Sequence, residues 1–219
     1  TILAKQYGAK RVELCSALTV GGLTPSIGLT KECVATGGIE VHVMIRHTEG
    51  GFVYTPSDIA IMRQDIEQIA EAGVHGVVFG CLTEEKSLHL EQNQYLLEIA
   101  RNLGLEVTFH RAFDFAYEPL PVLEKLIDMG FDRLLTSGQQ AKAIDGINLI
   151  ETMVKKANRR IQIMAGSGVN PNNAKTLANV GVDALHFTSH RYVDEKEQVG
   201  MGKQTVVNHQ KISEIVKQF

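Results

Sequence analysis

The chain has 219 residues, 44% hydrophobic and 21% charged, with a formal net charge of −3. That length buries a full core in one domain, and the slight acidity leaves no electrostatic footprint for nucleic acid or an anionic membrane. No apolar run approaches the ~20 residues that span a bilayer, no basic-then-apolar leader opens the chain, and three cysteines without paired spacing make no disulfide framework, so a reducing, cytoplasmic setting is expected.

Residues 2–7 read as a helix stopped by Gly8. The first strand follows at 11–15 (RVELC), and after Thr24-Pro25 comes a helical stretch carrying Cys33. A strand at 40–46 (EVHVMIR) leads to a helix at 58–73, where Ile59, Met62, Ile66 and Ile69 recur at helical spacing behind an Asp start. The scheme repeats as strand 76–82 and helix 89–104, strand 106–113 and helix 118–130, then strand 133–138 and helix 145–157. Strand 161–168 precedes Asn170-Pro171, an N-cap with proline at the first helical position. A last strand at 184–189 is followed by a charged stretch, 191–203, that reads either as a lid or as a solvated connection to the final helix.

Short Val/Ile/Leu-rich strands alternating with helices of that length predict βα units, a covered parallel sheet and one domain over 1–219. Seven strands behind an opening helix fit an α/β TIM (β/α)8-type barrel whose first strand lies outside this sequence. An open doubly wound sheet is the alternative.

The strands end in polar residues, and in a parallel barrel the carboxyl ends form the working face. In VTFHRAFD (107–114), alternation puts Thr108 and His110 on one side of the strand and Phe109 and Arg111 on the other. His110 suits acid/base or electrophilic work near neutral pH, or is a satisfied buried histidine. Arg46 reads as a fork for a carboxylate or phosphate, or as an ion-pair partner of Glu13. Glu13 either takes a proton or neutralises Arg46 or Arg111, and Asp114 either joins the site or caps the turn. Ser137-Gly138 and Gly166-Ser167-Gly168 are loops whose backbone N–H groups can approach an anion, or simply tight turns.

Cys15 and Cys81 end alternate strands, which share barrel layers. They are candidate ligands for a soft metal, with inert packing as the alternative. No histidine-carboxylate metal motif occurs.

RVELC, GGLTPSIG, VMIR followed by GGFVY, VVFGCLTEE, VTFHRAFD, RLLTSG and MAGSGV occur in order from Arg11 to Ser189. Together they resemble the CutC family, named for copper homeostasis. The resemblance implies a TIM barrel, a cytoplasmic location, Cu(I) as partner and Cys15 as a copper ligand. It carries the family's polar cluster onto Glu13, Arg46, His110, Arg111, Asp114 and Ser137. Three positions depart from the family's pattern: His47-Thr48 replaces Pro-Arg, Ser167 interrupts a glycine triplet, and Cys81 replaces a small residue.

Two functions follow. One is Cu(I) binding through Cys15, joined by Cys81. The other is an enzyme on a small phosphate- or carboxylate-bearing metabolite, with Arg46 and Arg111 as clamps, His110 as acid/base, Glu13 and Asp114 as carboxylates, and Ser137, Gly138, Gly166, Ser167 and Gly168 as the anion loop. A homodimer is compatible with either.

Overall fold

A strand forms at each of the seven apolar runs in a computed structural model that describes residues 1–193 and 205–219. In chain order the elements are α1 (Ile2–Gln6), β1 (Arg11–Leu14), α2 (Ile27–Ala35), β2 (Glu40–Met44), α3 (Pro56–Glu71), β3 (Gly76–Phe79), α4 (Leu90–Asn102) and β4 (Glu106–Phe109). They continue with α5 (Pro119–Met129), β5 (Arg133–Thr136), α6 (Ile147–Ala157), β6 (Gln162–Gly166), α7 (Ala174–Ala178), β7 (Ala184–His186), β8 (His190–Tyr192), β9 (Thr205–Val207) and α8 (His209–Val216).

Strands β1 to β7 pair in parallel and in strictly sequential order. A doubly wound sheet reverses direction at a switch point. The sequential order therefore excludes that alternative and gives a TIM-type sheet curled into an incomplete barrel. Its edges are β1 and β7, and a cavity of about 1610 Å³ lies between them, bordered also by α1 and α8. No helix among the described residues is long and apolar enough to cross a membrane.

Alternation sorts the strand residues cleanly. Val41, Val43, Val77, Phe79, Val107, Phe109, Leu134 and Ile163 face the helices and join the main core. The α3 stripe of Ile59, Met62, Ile66 and Ile69 is buried there too, behind a Thr55–Asp58 capping box with Pro56 in the first turn.

The other strand face turns inward and is polar toward the amino ends. Arg133 is buried and donates to Gln162 (2.9 Å), Thr108 (3.1 Å) and Glu106 (3.2 Å), while Arg11 pairs with Glu40. His42 fits among them because residue 76 is glycine: a Cβ there would stand 2.5 Å from His42 Nδ1.

One expectation needs correction. The helix expected to start at Asn170-Pro171 starts at Ala174. Asn170 N–H donates to the Asn173 side chain, Asn172 N–H donates to the Asn170 side chain, and both side chains donate to Gly168 O. Asparagine side chains compete with the helix ladder in this way. In the charged stretch, residues 194–203 lie outside the described residues; what precedes and follows them pairs as the antiparallel β8–β9.

Asn93 on α4, unremarked in the sequence, ties the β3 end to the helix layer. It is fully buried, accepts from Cys81 N–H (3.0 Å), and donates to Cys81 O (2.8 Å) and His89 O (2.8 Å). Asn93→Ala strands the Cys81 N–H in the core, while Cys81 O keeps the N–H of His89. Urea unfolding is expected to show a loss of about 1–3 kcal/mol.

Candidate functional site at the carboxyl ends of the strands

Arg46 follows β2 and is 4% exposed. Its Nη1 donates to Val20 O (2.9 Å) and Gly22 O (3.0 Å), and Nη2 donates to Gly50 O (2.7 Å). The ion pair weighed with Glu13 does not form; among the described residues no carboxylate pairs with this guanidinium. Its Nε–H is buried and has no acceptor. Arg46 therefore pins three carbonyls of the loops around the mouth and retains an uncompensated charge.

His110 closes β4 and is 4% exposed. Nδ1 accepts from Ala112 N–H (3.3 Å) at the start of a short 3₁₀ turn, Arg111–Phe115. The neutral ring then carries its proton on Nε2, which is buried without an acceptor. Burial, reinforced by the Arg46 charge, pushes the pKa down to about 3. The imidazole is thus neutral at physiological pH and serves as a fixed donor. Gly80 makes this possible, since a Cβ there would stand 2.9 Å from His110 Nδ1.

Arg111 and Asp114 belong to a different assembly. Asp114, whose side chain is 4% exposed, accepts from Arg111 Nε (2.8 Å), Thr136 Oγ1 (2.6 Å), Ser137 N (3.0 Å), Ser137 Oγ (2.9 Å) and Gln139 N (3.1 Å). Gly138 N–H donates to Thr136 Oγ1. The N–H groups of Ser137 and Gly138 that sequence offers to an anion are therefore already used, by a carboxylate of the chain itself and by a threonine hydroxyl. Asp114 does far more than cap a turn, and its acceptor sites are taken.

The Gly166–Gly168 loop is also held internally. Ser167 Oγ donates to Ala141 O (2.7 Å), Ser167 O accepts from Ala143 N–H, and Gly168 O takes both asparagine side chains. The helix beyond it, α7, has five residues, starts six residues past Gly168, and presents no N-terminus to the loop.

Cys15 and Cys81 do not converge. Alternation along β1 turns Arg11, Glu13 and Cys15 into the barrel, where all three line the open cavity. Alternation along β3 turns Cys81 outward into the helix-facing core, fully buried. Layer sharing by alternate strands holds only for residues on the inward face. Cys15 Sγ lies 3.7 Å from Glu13 Oε1, and burial followed by the Glu13 charge pushes its thiol pKa far up. Among the described residues, no group of three or more His, Cys, Asp or Glu side chains is arranged to hold a metal.

Three residues at the mouth went unweighed in the sequence. Phe52 sits with its ring 4.9 Å from that of His110 and 5.4 Å from Arg46 Cζ. Tyr54, 6% exposed, turns its hydroxyl toward Arg46 with no hydrogen bond of good geometry. Met44 precedes Arg46 by two, hence on the same inward face; its Cε lies 3.6 Å, and Cys15 Sγ 3.2 Å, from where a Cβ on Gly22 would stand. An aromatic pair behind Gly50-Gly51, and simple alternation back from Arg46, were the available signals.

The CutC family model matches residues 1–191. The chain belongs to the CutC family. A CutC family relative from Glaesserella parasuis serovar 5 (strain SH0165) is 44% identical over 189 residues, 86% of this chain and 77% of that protein. Another, from Parabacteroides distasonis, is 44% identical over 210 residues, 93% of this chain and 86% of the relative. The solved CutC structure from Streptococcus agalactiae superposes with a TM-score of 0.77 at 37% identity, over 82% of this chain and 88% of that one. A 3-keto-L-gulonate-6-phosphate decarboxylase from Vibrio cholerae reaches 0.61 at 11% identity, over 98% and 86% respectively, a likeness of fold alone.

Proposed function

We propose that this CutC family member handles Cu(I) in the cytoplasm, taking the ion as cargo on Cys15 with Met44 as a second sulfur ligand. The observation that carries the reading is the two side chains flanking Gly22, a thiol and a thioether on the inward face at the open side of the barrel. Thiolate and thioether donors select Cu(I) over harder ions. Cys81 is buried in the helix-facing core and offers no such setting, and Cys33, which borders the same cavity, sits on α2 and packs into that core. The Streptococcus agalactiae relative is described as a candidate copper homeostasis protein, which agrees with the reading.

Binding replaces the thiol proton with the metal, and Glu13, already the hydrogen-bond acceptor of Cys15, is the base at hand to receive that proton. Because the thiol pKa is raised, affinity should climb with pH. Competition of the reduced protein against a colorimetric Cu(I) chelator tests the assignment. We expect one ion per chain, abolished in Cys15→Ser, weakened in Met44→Leu and unchanged in Cys81→Ser. Retention of full affinity in Cys15→Ser overturns it.

A further inference from the structure

We propose that Arg46, Tyr54 and His110 form a second, occluded site that binds a carboxylate, free or at the end of a small metabolite, with Phe52 as its lid. This site is separate from the Cu(I) reading and has the opposite chemistry: donors and positive charge, with Cys81 and Asp58 acting only from the Tyr54 side.

Three buried donors at the mouth have no acceptor: Arg46 Nε, Tyr54 Oη and His110 Nε2. A buried donor left unmade costs of the order of 1–3 kcal/mol, and more when charged. The three are neighbours. The Arg46 charge acts on both His110 and Tyr54, and the Phe52 ring touches both His110 and Arg46. Arg46 spends both Nη groups on main-chain carbonyls, so a positive charge remains buried without a counterion among the described residues. Neutralising it demands an anion from outside.

His110 cannot supply the missing acceptor, because Ala112 N–H occupies its other nitrogen. The same fact fixes it as a donor. A neutral imidazole held this way at the start of a helical turn is an established means of polarising a substrate oxygen. Two carboxylate oxygens, with about four lone-pair sites, have room for three donors, one of them on the guanidinium itself. Phosphate brings more charge and bulk than a single guanidinium, with three of its five N–H groups already used, accommodates.

The lid follows from the loop that carries Phe52. Gly50 O accepts from Arg46 Nη2, and Phe52 O accepts from Leu82 N (2.8 Å). Phe52 also packs on Phe115, 5.4 Å between centroids. Arg46 thus holds the lid with one nitrogen and offers another to the ligand. Entry requires the Gly50-Gly51-Phe52 segment to swing, and an anion on Nε stabilises the guanidinium that keeps it shut.

The test is thermal unfolding of the chain in sodium formate or acetate, at ionic strength matched with sodium chloride and with inorganic phosphate as comparison. We expect a saturable rise in Tm with the carboxylates and none with chloride or phosphate. Tyr54→Phe and His110→Gln should each weaken the formate response at least about tenfold. Arg46 variants are set aside because the residue pins three carbonyls; Tyr54→Phe keeps its ring and its packing. Absence of a saturable carboxylate response in the unaltered chain overturns the proposal. So does an equal response in both variants, or a response to phosphate as large as that to formate.

Discussion

Asp114→Ala is expected to lower the unfolding free energy by about 3–5 kcal/mol, because it strands several donors at about 1–3 kcal/mol for each one that is buried. The carboxylate takes donors from three places: Arg111 in its own turn, Thr136 at the end of β5, and the Ser137–Gln139 loop. Removing it leaves two main-chain N–H groups, the Thr136 hydroxyl and one guanidinium nitrogen without their acceptor. The Ser137 hydroxyl alone keeps an alternative, since it also donates to Gln140 O. Asp114→Asn should recover at most about half the loss, because its NH₂ group must face at least one of those donors. Urea denaturation of both variants checks this. A carboxylate that serves only as a solvent-facing catalyst would leave the midpoint within about 0.5 kcal/mol of the unaltered chain, and that result would remove Asp114 from the framework described above.

The fold was legible because it depends on features that sequence displays directly. Six of the seven strands begin at the first residue of their apolar run, and β6 begins one residue later. Each was expected to extend one to four residues too far at its carboxyl end. The excess residues are the polar ones: Arg46, His110 and Ser137 leave the ladder to bond loop carbonyls, a helical-turn N–H and a carboxylate. A period-two pattern shows which side such a residue faces, but not which partner claims it. That is why Arg46 and Arg111, equivalent as strings, differ in the structure. Arg111 has Asp114 three residues away in its own turn, whereas Arg46 reaches carbonyls up to 26 residues distant in sequence. The same limit governs the cysteines. Strand ends at 15 and 81 look alike, and the one-residue parity that sends Cys15 inward and Cys81 outward becomes visible only once the register is known. Tyr54 and Phe52 belong to a loop with no periodicity, so the glycine pair before them was the only local mark.

Stability should fall steeply between pH 6.5 and pH 5, before carboxylates begin to protonate. Two histidines drive the effect. His42 is 1% exposed and its pKa is pushed down to about 3, by burial first and then by the charges of Arg11 and Arg133. Glu106 Oε2, 3.7 Å from His42 Nε2, favours the charged ring but does not offset these. His110 is likewise held near 3 by burial and by Arg46. In the unfolded chain both rings titrate near 6.5. The sign follows from linkage: a base whose pKa is lowered by folding binds its proton in the unfolded state first, so unfolding takes up protons as pH falls. The stabilisation is complete above about pH 6.5 and is lost progressively toward pH 3. Each ring contributes a limiting slope of about 1.4 kcal/mol per pH unit. The three carboxylates with depressed pKa values, Asp58, Glu85 and Glu124, act in the same direction but only below the ordinary carboxylate range. In the window from 6.5 to 5 the histidines therefore dominate, opposed at its lower end by Asp65, whose carboxyl is pushed up by burial. Urea midpoints across it should give a combined slope near two protons for the unaltered chain and near one for His42→Gln, whose amide cannot take the proton. A flat profile would mean that water or a counter-charge reaches both rings, and it would remove the neutral His110 donor on which the carboxylate site depends.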